Sequence, residues 1–321
     1  MSINTDMTVR VVAISQVAEN VKRFRLERAD GGAMPVFSGG AHVVVAMRDG
    51  DLLRRNPYSL MSSPRDTSAF EISTLRVENS RGGSAFMHEK LKVGDRLIVS
   101  QPINLFPFDG RGRKHILMAG GIGITPFIAM MDQMQREDRP FELHYAIRNR
   151  GHGAYWKELT ERYGPHRVKI YVDDEKLFIP VDQILGAQPL GTHLYVCGPA
   201  GMIDGVLGRA RGAGWPEQNL HCERFLAPPP GKSFRVILRK SAKTLTVATH
   251  QSILEAVEAA GVDAPFLCRG GACGQCETSI VSYQGALEHN DHYLEPDDKQ
   301  SGRKIMICVS RLNGPEITLD L

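Results

Sequence analysis

The sequence has no concentrated charge and no long apolar run. Its 39 Lys and Arg residues are scattered and nearly balanced by 36 Asp and Glu, which leaves a net charge of +3 without a basic block. Nucleic acid is therefore not expected as a partner. No apolar stretch approaches the length of a membrane span, and the first nine residues carry no charged-then-apolar signal pattern. We expect a cytoplasmic protein that does not bind a membrane.

Cysteine is also scarce, with six in 321 residues. Four of them follow a Cys-x4-Cys-x2-Cys order with one distant partner, at Cys268, Cys273, Cys276 and Cys308. This order is the plant-type ferredoxin spacing, which predicts a [2Fe-2S] cluster held by four thiolates. The other two, Cys197 and Cys222, are expected to be free thiols, as in a reducing compartment and unlike a disulfide framework.

Two alternatives to a cluster remain open on the residues alone: a structural zinc site and a set of buried thiols. Structural zinc usually takes two Cys-x2–4-Cys pairs, so a triplet with one remote partner fits it poorly. Glycines within the loop favour the cluster, because they let the backbone wrap closely and direct N–H groups at the sulfurs. These glycines are Gly270, Gly271 and Gly274.

The pattern of short elements predicts a multidomain protein with three parts. Residues 1–110 contain short alternating or β-branched runs, which predict an antiparallel β-barrel. Residues 111–228 alternate apolar strands with helices, which predicts a parallel α/β domain. Residues 229–321, which begin within a proline-rich linker at 226–233, predict an α+β domain of β-grasp type.

Two glycine-rich turns in the second part predict a nucleotide site. The first follows a strand with Gly120, Gly121 and Gly123, then opens a helix with Thr125 at the expected N-cap and Pro126 at N1. The second is Cys197, Gly198 and Pro199, also at a strand end. Turns at the carboxyl ends of neighbouring parallel strands enclose a crevice in which ligands bind. Plain packing is the alternative for each turn.

Two segments of the first part suit a flavin. Tyr58 could lie against the ring and Ser59 could offer its hydroxyl to the ring nitrogen N5, although an aromatic on a strand is often ordinary core. The second segment is a predicted anion site at a short helix, in which an arginine would neutralise phosphate charge. Its residues are Arg81, Gly82, Gly83 and Ser84.

Taken in chain order, these motifs resemble the phthalate dioxygenase reductase family, whose layout is flavin barrel, nicotinamide domain and plant-type ferredoxin domain. The resemblance implies FMN, NADH and a [2Fe-2S] cluster as cofactors and a Rieske-type oxygenase as the electron acceptor. It implies that Cys197 flanks the nicotinamide, that Glu223 orients it or its own segment, and that Phe225 covers the flavin face. Residues 56–59 and 78–84 are most similar to reductases that serve carnitine-type trimethylammonium monooxygenases. A monomer is expected.

One position departs from the family pattern. Asn56 stands where the family's Arg-x-Tyr-Ser motif has the arginine that assists the flavin phosphate. That role could pass to Arg81, or to Arg54, Arg55 or Arg76. The sequence also leaves open whether the nucleotide is NADH or NADPH. Arg148, after the second parallel strand, could bind the 2′-phosphate that only NADPH carries.

The implied path is linear, because NADH gives up a hydride whereas a cluster takes one electron at a time, so a flavin must stand between them. Electrons would leave through an exposed cysteine loop, where Arg269 and Gln275 would meet an acidic or polar partner. His289, Asp291 and His292 are expected on the surface. Two other functions remain open: a reductase feeding a cytochrome P450 or another non-Rieske acceptor, and a zinc-stabilised binding module without enzymatic activity.

Overall fold

The computed structural model describes residues 6–50, 52–78, 81–226 and 230–321. The first five residues, residue 51, residues 79 and 80 of the flavin motif and residues 227–229 of the expected linker lie outside the described residues. The chain divides into two compact units. Unit 1 comprises residues 1–43, 58–76 and 91–225, and unit 2 comprises residues 44–57, 77–90 and 226–321. The domain limits expected from the sequence stay a prediction.

The first sheet has six strands: β1 (Met7–Ala18), β2 (Val21–Arg28), β3 (His42–Asp49), β4 (Leu52–Ser59), β5 (Phe70–Leu75) and β6 (Arg96–Val99). Their order is β4-β3-β6-β1-β2-β5, and β1 pairs antiparallel with both β2 and β6. The alternation that predicted these strands is real, because Val9 and Val11 are buried whereas Thr8 and Arg10 are exposed. A helical turn, α1 (Gly83–Ala85), continues into a π-helical turn at Phe86–Lys90.

The second sheet is parallel throughout. Its strands are β7 (Lys114–Gly120), β8 (Phe141–Ile147), β9 (Val168–Val172), β10 (Thr192–Cys197) and β11 (Leu220–Glu223). The order β11-β10-β7-β8-β9 reverses direction between β7 and β10, so the turns that follow these two strands meet at a topological switch point. The helices of this domain are α2 (Thr125–Arg136), α3 (Trp156–Tyr163), α4 (Val181–Gly186) and α5 (Ala200–Gly212).

The third sheet forms the C-terminal part of unit 2. Its strands are β12 (Phe234–Leu238), β13 (Lys243–Val247), β14 (Glu277–Glu288), β15 (Lys304–Met306) and β16 (Arg311–Leu319), in the order β13-β12-β16-β14-β15. The central pair β12–β16 is parallel and the other pairs are antiparallel, as in a β-grasp sheet. Two helices accompany it, α6 (Ile253–Ala259) and α7 (Pro296–Ser301).

Helix α6 begins and ends as its sequence predicts. The Ser252 hydroxyl accepts from the Glu255 N–H at 3.1 Å, and the Glu255 carboxylate accepts from the Ser252 N–H at 2.8 Å, which completes a capping box. Gly261, with φ of 70°, supplies the left-handed stop. In the described part of the chain no helix is both long and apolar enough to cross a membrane.

Candidate redox sites

The two glycine turns of the parallel domain pack directly against each other. A Cβ at Gly123 would lie 2.3 Å from the Cys197 carbonyl oxygen, and a Cβ at Gly120 would lie 2.7 Å from the Pro199 ring. Neither position can hold a side chain without movement of the residues opposite. Packing therefore explains why Gly120 and Gly123 are glycines. It also holds the two turns against each other at the same edge of the sheet.

Gly121 differs from its neighbours. Its φ is +53°, and a Cβ there would meet nothing within 4 Å, so this glycine leaves open space beside the turn that a ligand could approach. The expected cap is wrong: a 3₁₀ turn at Gly121–Ile124 precedes the helix, Ile124 is the N-cap and Thr125 lies inside the first turn. The Thr125 hydroxyl donates to the Ile122 carbonyl at 3.0 Å instead of capping the helix.

Cys197 and Glu223 end adjacent parallel strands and are register partners. Cys197 is buried, and burial, followed by the nearby Glu223 carboxyl, raises the pKa of its thiol well above the usual range. Part of Glu223 is exposed, but its Oε2 is buried and has no hydrogen-bond partner among the described residues. Desolvation raises the pKa of this carboxyl to about 8. Burial therefore favours the neutral form of Glu223, which can donate a hydrogen bond, over a solvated carboxylate.

Ser59 ends β4 with its side chain buried, and its hydroxyl has no partner within the described protein. A buried hydroxyl without a partner costs roughly 1–3 kcal/mol, so such a group commonly marks a place where a ligand binds. Tyr58 is half-buried on the same strand. The unpaired oxygens of Ser59 and Glu223, both in unit 1, fit a polar bound cofactor. Phe225, 47% exposed, remains free to cover a ring, which stays a prediction.

The predicted anion-binding segment, in unit 2, is built around two glycines. Gly82 adopts φ of 95°, and a Cβ there would lie 3.1 Å from Nη2 of Arg54. A Cβ at Gly83 would lie 2.3 Å from Nδ2 of Asn56, so the amide occupies the space a side chain would fill. Arg54 also donates from Nε to the Arg81 carbonyl at 2.6 Å. The side chains of Arg54 and Asn56 therefore both lie against this turn.

Arg81 itself points elsewhere. Its guanidinium donates to both oxygens of Glu255, at 3.0 and 2.8 Å, and both side chains are buried. The expected role in neutralising a flavin phosphate does not fit a guanidinium committed to a buried carboxylate. Ser84 is likewise occupied, because its hydroxyl accepts from the Val77 N–H at 3.2 Å.

The four cysteines of the ferredoxin pattern come together in two pairs. The thiol of Cys268 contacts that of Cys273, and the thiol of Cys276 contacts that of Cys308. Across the residues that the structure describes, these included, no three His, Cys, Asp or Glu side chains converge on one metal ion. Two irons, each with two thiolates, match this arrangement.

Backbone N–H groups surround the sulfurs. Gly270 donates to the Cys268 sulfur at 3.3 Å, and Gly271 donates to Cys308. Gly271 and Gly274 have φ of 72° and 79°, and a Cβ at Gly274 would lie 2.3 Å from the Tyr293 ring. Gly271 and Gly274 are therefore needed for the shape of the loop, as expected, whereas a Cβ at Gly270 would meet only the Cys268 carbonyl oxygen, at an ordinary 3.7 Å. The donor set fits a [2Fe-2S] cluster.

Arg269 does not face a partner, which corrects the expectation of an exposed cation on the loop. Its guanidinium donates to both oxygens of Glu258, and it lies 3.9 Å from the centre of the Phe266 ring. Only 5% of the side chain is exposed. Phe266 and Leu267, both apolar, are exposed beside it, and Gln275 is exposed as well.

Asp291 is also not on the surface. It is buried, accepts from the Leu294 N–H at 2.8 Å and from the Ser310 hydroxyl at 3.3 Å, and its Cα would lie 3.1 Å from a Cβ at Gly271. Asp291 therefore braces the cysteine loop against the segment that carries the fourth ligand. His292 is exposed, as expected, whereas His289 has only 9% of its side chain exposed.

The expected ribose-binding end of β8 is acidic as well as basic. Arg148 is exposed, and its carbonyl accepts from the Asp174 N–H at 3.0 Å, which brings the loops after β8 and β9 together. Arg150 donates to both oxygens of Glu175, at 2.6 and 2.9 Å, and its guanidinium lies 5.0 Å from the centre of the Trp156 ring. Sequence reasoning missed this pair, although Glu175 lies in an acidic run directly after a strand.

Comparisons with known proteins agree with this geometry. Residues 97–220 match the family model of the dimethylamine monooxygenase subunit DmmA-like N-terminal domain, and residues 236–313 match the 2Fe-2S iron-sulfur cluster binding domain. The carnitine monooxygenase reductase subunit of Acinetobacter baumannii is 42% identical over 97% of this chain and 96% of its own. The heme-dependent oxidative N-demethylase beta subunit of Ectopseudomonas mendocina is 43% identical, over 99% of this chain and 100% of its own.

A solved structure is similar over the same extent. Phthalate dioxygenase reductase, described as a modular structure for electron transfer from pyridine nucleotides to [2Fe-2S], has a TM-score of 0.89 and 33% identity, with 98% of each chain covered. The expected fold and the expected set of flavin, nicotinamide and cluster are thereby confirmed, and the zinc-stabilised binding module is excluded. The chain belongs to the phthalate dioxygenase reductase family and is an iron-sulfur flavoprotein oxidoreductase, the reductase subunit of an oxygenase system.

Proposed function

We propose that this protein takes electrons from NADH and passes them through FMN and its [2Fe-2S] cluster to a Rieske-type oxygenase that acts on carnitine or a related trimethylammonium compound. The observation that carries the proposal is the pairing of the thiols, Cys268 with Cys273 and Cys276 with Cys308. The described protein also leaves the buried oxygens of Ser59 and Glu223 without a partner. The thiols suit a one-electron carrier, and the unpaired oxygens of Ser59 and Glu223 suit a bound cofactor.

The side chains of unit 1 would hold the reacting ends of the nucleotide and the flavin. The Ser59 hydroxyl can donate to the flavin ring, since nothing in the described protein accepts from it. Glu223, whose neutral form is favoured because burial raises its pKa to about 8, can donate to the carboxamide oxygen of nicotinamide. Cys197, with the pKa of its thiol raised, stays a neutral neighbour and not a nucleophile. The bound flavin would supply the conversion between one two-electron hydride and two single-electron transfers.

FMN is the proposed flavin, with its phosphate at Gly82 and Gly83. Support comes from the Arg54 guanidinium and the Asn56 amide, which both lie against these glycines. Asn56 would then replace the family arginine as a neutral donor, and Arg54 would supply the charge. Flavin released by heat and separated by chromatography distinguishes FMN from FAD. Loss of flavin on dialysis at high salt is expected to be faster in Arg54→Met than in the matched surface variant Arg10→Met.

A second acceptor class has specific support. One relative is named a heme-dependent oxidative N-demethylase beta subunit, and its 43% identity with this chain is nearly the same as the 42% of the carnitine monooxygenase reductase subunit. A haem-dependent oxygenase acting on an N-methylated amine is therefore the alternative to a Rieske-type partner. Both acceptors would act on a carbon atom that is bonded to nitrogen. We expect this shared chemistry to hold whichever acceptor is correct.

The test separates the steps of the path. Cys273→Ser is expected to abolish NADH-dependent reduction of cytochrome c, which needs the cluster, and to leave NADH-dependent reduction of ferricyanide through the flavin within about twofold. Cys222→Ser, at an exposed cysteine outside the loop, is the matched control and should retain both activities. Loss of ferricyanide reduction together with cytochrome c reduction in Cys273→Ser would contradict the linear path.

The acceptor is tested by reconstitution. The purified reductase, a Rieske-type or a haem-dependent oxygenase, NADH and either carnitine or dimethylamine are combined, and product formation coupled to NADH oxidation is measured. Turnover with the Rieske-type enzyme and a trimethylammonium compound supports the first assignment. Turnover only with the haem enzyme supports the second. Size-exclusion chromatography with light scattering tests the expected monomer, and fractionation of the source cell tests the expected cytoplasmic location.

A further inference from the structure

Helix α6 carries two carboxylates one turn apart that bind three arginines from three separate segments. Glu255 pairs with Arg81, as described above. Glu258 accepts from Nη1 of Arg55 at 3.2 Å and from Nη1 of Arg269 at 3.0 Å, and a second bond joins it to Nη2 of Arg269. Arg55 lies on β4 beside the anion-binding turn, and Arg269 lies in the cysteine loop. One carboxylate, that of Glu258, therefore contacts both segments.

The contact between Glu258 and Arg269 lies in the cysteine loop, which would hold the cluster. Arg269 directly follows Cys268, and its backbone holds φ of 53°, a left-handed conformation that a non-glycine residue adopts only when its surroundings enforce it. Those surroundings are the two bonds to Glu258 on one side and the Phe266 ring on the other. The position of the Cys268 backbone is thus coupled to that of the Glu258 carboxylate.

The contact between Glu258 and Arg55 lies close to the proposed phosphate site. Arg55 lies between Arg54 and Asn56, the two residues whose side chains lie against Gly82 and Gly83. The Arg55 side chain is 27% exposed and that of Glu258 is 18% exposed, so the pair is shielded enough to hold a fixed geometry. A bond at this point restrains the β4 backbone with respect to α6.

We propose that Glu258 is a positioning residue for electron transfer from flavin to cluster, acting through Arg55 on the phosphate-binding segment and through Arg269 on the cysteine loop. The inference rests on the proposed path from FMN to [2Fe-2S]. It adds Glu258 as the residue that controls the rate of the second step, electron transfer from the flavin to the cluster. Electron transfer between two centres slows steeply as their separation grows, so a residue that fixes both backbones controls its rate. Glu258 touches neither cofactor and is not a catalytic residue.

The experiment compares Glu258→Gln with Glu316→Gln. Glu316 also accepts from an arginine, Arg235, in the same domain, but between the neighbouring strands β12 and β16. Both proteins are mixed anaerobically with NADH in a stopped-flow instrument, and flavin reduction and cluster reduction are followed separately by absorbance. Glu258→Gln is expected to reduce its flavin at the wild-type rate and its cluster several-fold more slowly, because electron transfer slows as the two centres move apart. Glu316→Gln should match the wild type in both phases.

Two further readouts separate positioning from assembly. The electron paramagnetic resonance spectrum and spin count of the reduced cluster should show full occupancy in Glu258→Gln with a broadened signal, because the Arg269 backbone is released while all four thiolates remain. Glu258→Asp, which keeps the charge on a shorter arm, should recover most of the transfer rate. A cluster that is missing in both Glu258 variants would show that the residue serves assembly, and it would overturn the proposal.

Other outcomes are equally decisive. Cluster reduction at the wild-type rate in Glu258→Gln refutes the positioning role and leaves the electron path intact. Failure of NADH to reduce the flavin in the wild-type protein refutes the proposed function and not the role of Glu258. If Arg55 acts through Glu258, Arg55→Met combined with Glu258→Gln is no slower than Glu258→Gln alone. A double variant whose losses multiply would show that Arg55 acts independently, against the proposal.

Discussion

Removal of the Arg81 guanidinium, in Arg81→Met, should destabilise unit 2 strongly. Arg81 and Glu255 have only 6% and 7% of their side chains exposed, and two hydrogen bonds of 3.0 and 2.8 Å join them. Without Arg81, the Glu255 carboxylate would retain the Ser252 N–H, at 2.8 Å, as a neutral donor. It would remain buried as an uncompensated charge, which is the reason that breaking such a pair costs far more than an exposed pair contributes.

The magnitude follows from the burial. Removal of one partner of a buried ion pair costs about 3–5 kcal/mol, and about 2–4 °C of Tm is lost per kcal/mol, so Tm should fall by roughly 6–20 °C. Arg81→Met combined with Glu255→Gln should recover most of this loss, because the glutamine keeps the N-cap hydrogen bond without a charge. Arg235→Met, which breaks an exposed pair with Glu316, should cost no more than about 1 kcal/mol.

Differential scanning calorimetry of the flavin- and cluster-loaded proteins measures the effect, with flavin affinity determined in parallel by fluorescence. A loss in Arg81→Met no larger than that in Arg235→Met would refute the reasoning. A double variant as unstable as Arg81→Met would refute it as well, because the buried charge would not be the cause. Loss of flavin at unchanged Tm would instead return Arg81 to the phosphate-binding role predicted from the sequence.

Three further predictions concern the nucleotide and flavin sites. Ser59→Ala should leave the stability of the flavin-free protein unchanged or slightly higher and slow flavin reduction by NADH about tenfold, which corresponds to one hydrogen bond of about 1.5 kcal/mol; an unchanged rate would contradict it. The pKa of Glu223 is about 8 in the folded protein and 4.5 for an unperturbed glutamate, so the folded form holds its proton more tightly and stability declines as the pH rises from 4.5 to 8. NADH oxidation should therefore fall as the pH rises through 8, whereas Glu223→Gln should give a flat profile in the same assay. Glu175→Gln should free Arg150 for a 2′-phosphate and raise the ratio of kcat/KM for NADPH to that for NADH about tenfold; an unchanged ratio would show that Arg150 does not read the ribose.

Local patterns were enough to predict most elements. The alternation along β1 and β2, the apolar runs of β7 to β10 and the capping box of α6 depend on neighbouring residues, so they are visible in the sequence. The bulk of β4 was missed because it carries two adjacent arginines and Pro57. Its place at the edge of the sheet explains why a proline is tolerated there. The short edge strand β11 offers only four residues, too few for a pattern.

The residues of the candidate site could be predicted where they belong to a short sequence motif. They could not be predicted where the role depends on the direction in which a side chain points. The cysteine spacing and the positions of Ser59 and Glu223 followed from the motifs, and their environments agree. The directions of Arg81 and Arg269 could not be read, because their carboxylate partners lie 174 and 11 residues away in the chain. A charged side chain in a motif looks the same in a sequence whether it faces a ligand or a buried ion pair.

The Arg81–Glu255 pair also has a consequence for the order in which the protein is made. Its partners are 174 residues apart, so at a synthesis rate of about 5–20 residues per second Arg81 waits roughly 9–35 s for Glu255. During that interval the Arg81 guanidinium lacks its carboxylate. The same reasoning applies to a fragment cut after residue 228: it would carry Arg81 and Arg55 with their carboxylates removed. An iron-sulfur part exchanged into this reductase by engineering must therefore supply its own carboxylates at the positions of Glu255 and Glu258, to pair with Arg81 and Arg55.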